Sequence, residues 1–190
     1  MLTDENIYQN KMRYLQLLTK LGVDLTKLTD YLDSPRADFF MKPYSTYPDG
    51  AYAGALCEHN LKLYDELVNI CNIFAPNQYS EQDLIIAALF SELYKAELYE
   101  SYSKNVKNDD TGKWETVLAY RNKEVRPSFG DIGLSSFMIL NHFLDLTDDQ
   151  AVAIIYSTTD TFMDSYTVKK CYPLINLVQM AQKAVALKAQ

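Results

Sequence analysis

Few residues in this chain have the chemistry of a catalytic centre, and their positions restrict what they can do. There are only two histidines, His59 and His142, so a metal site built from several imidazoles is excluded before geometry is considered. No His-Glu-x-x-His pair and no Gly-Lys-Ser/Thr phosphate loop occurs. His142 precedes Phe143 near an expected helix end, where a partly exposed imidazole reads as a neutral surface residue. His59 shares an apolar helical stripe with Leu56, Leu63, Leu67, Ile70 and Phe74. Glu92 shares one with Ile85, Ala88, Leu89, Ala96 and Tyr99, and Gln182 one with Ile175, Val178 and Val185. All three therefore point inward, where a polar group without a partner costs on the order of 1–3 kcal/mol. Cys57, Cys71 and Cys171 are odd in number, lack a Cys-x-x-Cys spacing, and read as reduced, buried thiols.

The elements that must hold these residues are mostly helices. Six Gly and six Pro punctuate the chain, and between them apolar residues recur every three or four positions rather than every two. Thr3 caps a first helix running to about Lys20, and a second spans roughly Leu25 to Leu32. Pro35, Pro43, Pro48, Gly50 and Gly54 make Ser34 to Gly54 a loop of the length that often serves a site. A helix from Leu56 to Phe74 stops before Pro76. Ser80-Glu81-Gln82-Asp83 reads as a capping box for a helix whose stripe extends from Ile85 through Glu92 to Tyr99. The polar stretch Tyr102 to Arg126, with a turn at Asn108-Asp109-Asp110-Thr111-Gly112, predicts a small β-hairpin near residues 103–126. Further helices are expected over Ile132 to Phe143, after the Thr147 cap, and from Pro173 through Val185.

Length and charge set the outer limits. One hundred and ninety residues suit a single domain, 1–190. Eighteen Lys and Arg against 25 Asp and Glu leave a net charge of -7, which disfavours non-specific nucleic-acid binding. No run approaches the roughly 20 apolar residues of a membrane span, and Met1 to Glu5 has no signal-peptide pattern. A cytoplasmic protein with no membrane contact is expected.

Gly50-Ala51-Tyr52-Ala53-Gly54-Ala55-Leu56-Cys57-Glu58-His59-Asn60 resembles the segment of HD-domain metal-dependent phosphohydrolases that reads roughly Gly-Ala-Tyr-x-Gly-Gly-Leu-x-x-His-Ser. Leu84 to Lys95 resembles the family's apolar helix that runs into His-Asp-Leu-x-Lys. Weaker blocks follow in order at Asn105-Val106-Lys107-Asn108, Gly112-Lys113-Trp114-Glu115, Leu146 to Ile154 and Tyr172-Pro173-Leu174. They look like the HD proteins of tailed phages and some bacteria and cover nearly the whole chain. The resemblance implies an all-α, HD-domain-like helical bundle carrying the small hairpin insertion. In that family a first His, a His-Asp pair and a later Asp hold a divalent cation that activates water. Here the first His is His59, the His-Asp pair is Ser91-Glu92, and the later Asp falls at Gln182. Serine and glutamine are poor substitutes for charged ligands, so no metal, no other cofactor and no catalytic residue is expected.

The resemblance and the shared inward phase predict that His59 donates to Glu92, with Gln182 or Ser91 completing a hydrogen-bond cluster in place of the metal. A plainer reading makes these ordinary satisfied core residues. In another, the pocket still binds a nucleotide or small phosphate compound, with Lys95, Lys104, Lys107 and Arg126 supplying charge; otherwise those cations are solvated surface residues. The tyrosine groups Tyr44, Tyr47, Tyr52 and Tyr94, Tyr99, Tyr102 suit either an interface or the core. The expected function is a catalytically inactive, binding HD-domain protein, a structural or regulatory part of a multi-protein assembly with protein partners. It would sit in the host cytoplasm or the virion if a phage encodes it. The alternatives are a nucleotide phosphohydrolase with a non-standard site and a nucleotide binder without turnover.

Overall fold

The computed structural model describes residues 2–124, 131–158 and 165–188. Thr3 accepts from the Asn6 backbone N–H and Asn6 answers to the Thr3 N–H, a reciprocal cap that opens α1 (Asp4–Thr19). α2 (Thr26–Asp33) follows, then a loop with one 3₁₀ turn at Phe39–Met41. The central helix α3 (Ala55–Phe74) packs against α1, α4 (Glu81–Phe90) and α9 (Leu174–Lys188). Leu56, Leu63 and Leu67 of α3 are fully buried, each worth about 1.5–3 kcal/mol relative to exposure. Phe74, expected inward, is instead exposed, because the stripe outlasts the neighbours that cover it.

The helix opened by Ser80 was expected to continue to Tyr99 and does not. All of Leu84 to Phe90 is buried, so α4 is apolar around its whole circumference. The α-helical ladder then fails because side chains take its backbone groups. The Leu89 carbonyl accepts from Tyr14 Oη at 2.9 Å and Asn60 Nδ2 at 2.8 Å, and the Tyr94 N–H donates to Ser136 Oγ at 3.0 Å. The chain from Phe90 onward tightens into i to i+3 bonds, Leu93 to Phe90, Lys95 to Glu92, Ala96 to Leu93 and Glu97 to Tyr94. A short α5 (Lys95–Leu98) ends this run, and Tyr99, expected on the helix, begins a strand.

β1 (Tyr99–Lys107) and β2 (Trp114–Asn122) pair antiparallel without a bulge, Tyr99 opposite Asn122 and Lys107 opposite Trp114. The hairpin thus starts about where α5 stops, a little before the expected 103. α6 (Ile132–Leu140) and α7 (Asp148–Ile155) pack on each other and on the core, the first stopping before the expected Phe143. Their approach requires Gly133, where a Cβ would lie 2.4 Å from the Ile155 carbonyl oxygen. α8 (Ser165–Cys171), not foreseen, precedes α9. Cys57 and Cys71 are buried as expected, but Cys171 is exposed because it ends α8 on the surface. No helix among the described residues is long and apolar enough to cross a membrane.

Candidate functional site

His59 leaves α3 towards the tight turns after α4, and Glu92 comes from those turns. Their side chains meet: His59 Nε2 lies 3.1 Å from Glu92 Oε2. The ring N–H is not aligned for a good hydrogen bond, and neither atom has another hydrogen-bond partner. The two side chains are thus in close contact without a well-formed hydrogen bond between them.

The other carboxylate oxygen has the stronger partner. Lys95 Nζ is 2.7 Å from Glu92 Oε1, with both side chains more than nine-tenths buried. Three residues apart on a run of i to i+3 turns, the two side chains stack nearly above one another, which draws Lys95 inside. Lys95 is therefore not the solvated cation its sequence context suggested. Tyr44 completes the group, its hydroxyl donating at a long 3.5 Å to Glu92 Oε1. Its ring stacks on the His59 imidazole at 3.6 Å, and Lys95 Nζ sits 3.5 Å over the same ring. Those two groups are too close to share one face, so the phenol is clamped between imidazole and ammonium.

Tyr44 is aimed there by the loop. Phe39 and Phe40 pack on Tyr14 at ring separations of 5.0 and 5.6 Å, and the Gly50 carbonyl accepts from the Tyr44 and Ser45 N–H groups. A Cβ at Gly50 would meet Ser45 Oγ at 2.8 Å.

The electrostatics follow from this arrangement. Burial pushes the Glu92 carboxyl up, but the Lys95 charge and the His59 contact outweigh it and hold the group at about 2. Glu92 stays ionised with its counter-charge beside it. Burial and the Glu92 charge drive the Tyr44 hydroxyl well above its usual range, which keeps it a neutral donor.

The remaining expected members do not join. Ser91 Oγ turns back to the Ala88 carbonyl at 3.5 Å, and Gln182 lines a separate shallow pocket with Ser157, Thr158 and Gln179, its Nε2 buried without a partner. Lys104 and Lys107 project from the exposed hairpin, and Arg126 lies outside the described residues. Lys95 was foreseen as a residue of interest, but its pairing with Glu92 was not. Tyr44 was visible only as one of a tyrosine group, since a loop residue has no periodicity to reveal its direction.

A pocket of about 530 Å³ opens beside His59 and Tyr44, walled by Tyr52, Asp49, Glu58, Asp65, Glu66, Lys62 and Lys188 among others. Glu58 accepts from Tyr52 Oη at 2.6 Å and pairs with Lys62 at 3.0 Å; Glu66 pairs with Lys188 and Asp65 with Arg13. Glu58, Asp65 and Glu66 thus each face a cation, and with Asp49 the wall offers no surplus of positive charge.

The donor set does not fit a divalent cation of the kind the HD resemblance implies. Among the described residues only His59 and Glu92 of the expected ligands face each other, Ser91 and Gln182 point elsewhere, and a protein ammonium already occupies the carboxylate. No group of three or more His, Cys, Asp or Glu among the described residues converges to hold a metal. Set against family models, curated proteins and solved structures, the chain matches none.

Proposed function

We propose that this chain is a non-catalytic, HD-like binding protein in which an internal ion cluster stands where the family's metal would be, and that it serves as a structural or regulatory component of a protein assembly. The observation that carries the reading is Lys95 Nζ at 2.7 Å from Glu92 Oε1, both side chains buried. The ammonium brings a positive charge to the carboxylate, as a metal would, but offers no vacant coordination position and cannot acidify a bound water as a metal ion does. His59 and Tyr44 close the other approaches.

The pocket beside His59 gives little support to the alternative of a bound nucleotide. Its cations Lys62 and Lys188 are already paired with Glu58 and Glu66, and Lys104 and Lys107 stand on the hairpin rather than on its wall. Metal analysis of the purified protein after incubation with Mn²⁺, together with a nucleotide and phosphodiester hydrolysis panel, tests the reading. Expected are no stoichiometric ion and no turnover. Stoichiometric Mn²⁺ together with turnover abolished by His59→Ala would overturn it.

A further inference from the structure

The hairpin is the part of the molecule least explained by its own fold. Each strand has nine residues, about 30 Å of chain at 3.4 Å per residue. Only its base is anchored, where Tyr99 packs with Leu98 and Tyr94; beyond Tyr102 almost every residue is exposed. Among the described residues no other element packs broadly on either strand. A two-stranded ribbon of this kind is marginal alone in water and gains stability from a third strand or a covering surface.

The two free edges differ. β1 is polar and carries Lys104 and Lys107 with Ser101, Ser103 and Asn105, the kind of edge that resists further pairing. β2 has the uncharged run Thr116-Val117-Leu118-Ala119-Tyr120 with no proline, and no bulge interrupts its register. Opposed residues share a face of the ribbon, so Trp114, Leu118 and Tyr120 lie on one face and Val117 and Val106 on the other. Trp114 and Leu118 are 72% and 62% exposed. Among the described residues nothing covers Thr116 to Leu118, while Ala119 and Tyr120 are half-buried towards the base; an apolar edge of this kind is a template for another strand.

Charge indicates whose strand. Within residues 99–122, Lys104, Lys107, Lys113 and Arg121 cancel Glu100, Asp109, Asp110 and Glu115, so the whole net charge of -7 resides in the helical body. Two copies would repel through their bodies but not through their arms. Pairing two β2 edges about Leu118 also sets Glu115 of each copy opposite Arg121 of the other, a favourable cross-strand pair formed twice. In the same register Val117 meets Ala119 and Thr116 meets Tyr120.

We propose that two copies of this chain associate through the free edge of β2, antiparallel and two-fold about Leu118, to form a continuous four-stranded sheet. The inference does not depend on the reading of the His59 cluster. Main-chain hydrogen bonds would give the affinity, as in other strand additions, while the Glu115 and Arg121 pairs would fix the register and the shared Trp114, Leu118 and Tyr120 face would bury the exposed apolar area.

Sedimentation equilibrium of the full chain tests this, with the expected mass twice the 21.8 kDa of the monomer. Leu118→Lys, at an exposed site, should return the mass to the monomer value with the helical circular dichroism unchanged. Lys104→Glu, on the other edge, should leave the dimer intact. With Cys171→Ser as background, Leu118→Cys should cross-link on mild oxidation, because position 118 faces itself across the axis, and Lys104→Cys should not. A monomeric wild type, a dimer insensitive to Leu118→Lys, or cross-linking through 104 rather than 118 would each overturn the proposal. The cross-linking arm decides the matter even if Leu118→Lys impairs folding.

Discussion

Two buried acids, Glu92 and Glu97, stand five residues apart on the same tight turns and are neutralised in opposite ways. Glu92 faces a cation that is itself buried, Lys95, with His59 and Tyr44 filling the remaining directions. Glu97 accepts from Tyr31 Oη at 2.8 Å and is gripped by Arg36, through Nε at 2.8 Å and Nη2 at 3.0 Å, yet the Arg36 side chain is 69% exposed. The carboxylates are equally buried, so the difference lies in the cation. A buried ammonium has given up its hydration and depends on its acid. An exposed guanidinium keeps its water, and water can reach part of the space it leaves. The energetic weight of each pair should follow the burial of the cation rather than that of the acid.

The sharpest way to break this contrast is to remove the buried cation. Lys95→Met should cost about 3–5 kcal/mol, because an ionised Glu92 is left uncompensated in the core. Urea denaturation at neutral pH measures it. A loss under about 1 kcal/mol, the scale of an exposed ion pair, would mean that Lys95 is effectively at the surface and would remove the basis of the proposed internal cation.

Removing both partners should undo most of that damage. Glu92→Leu with Lys95→Met replaces a desolvated pair by apolar volume, which in comparable interiors is neutral or stabilising. A double-mutant cycle should therefore show a coupling of about 2–3 kcal/mol between the two positions. Additive losses would show that Glu92 and Lys95 do not act as a pair.

The same pair should govern the acid limb of stability. The Glu92 carboxyl titrates at about 2 in the folded protein against 4.5 ordinarily, so the unfolded chain binds its proton first as the pH falls. Its contribution is complete above the ordinary value and is lost as the pH drops from about 4.5 towards 2. In the Glu92→Leu, Lys95→Met variant that limb should flatten. At the alkaline end the sign reverses: burial raises the Tyr44 and Tyr31 hydroxyls, so their contribution is present below the usual tyrosine range and declines as the pH rises. An acid limb unchanged in the double variant would mean that other carboxylates carry it.

How much of this was legible in the sequence depended on whether a residue's direction is set by period or by a local rupture. The caps at Ser80 and Thr147 were readable because each motif contains both halves of its hydrogen-bonding partnership; at Thr3 only the hydroxyl was read, and the answering Asn6 side chain was not. The meeting of His59 with Glu92 was expected from two inward stripes taken together with the HD resemblance, although the hydrogen bond expected between them is not well formed. The pairing of Lys95 was not expected, because an unbroken α-helix was assumed there. The rupture after Phe90 is caused by Tyr14, Asn60 and Ser136, three side chains from distant segments. Gln182 failed for a related reason: correct phase placed it on the inner side of α9, but its part of that side faces Ser157 and Gln179 rather than Glu92. Phase specifies a side of a helix; only the tertiary arrangement says which neighbour lies there.

The smallest expected effect bears most directly on the comparison. Arg36→Met removes as formal a counter-charge from Glu97 as Lys95→Met removes from Glu92, yet the loss should be only about 1–2 kcal/mol. Tyr31 Oη still donates to Oε1, and solvent at the exposed guanidinium position can hydrate Oε2. The effect should also shrink further as salt is raised from about 0.1 to 1 M, where the screening length falls from about 10 to 3 Å. The loss in Lys95→Met should not change, because no counter-ion reaches that pair. Denaturation of both variants at the two salt concentrations is the measurement. Equal losses with equal salt response would show that burial of the acid alone sets the cost, and the distinction between the two clusters would collapse.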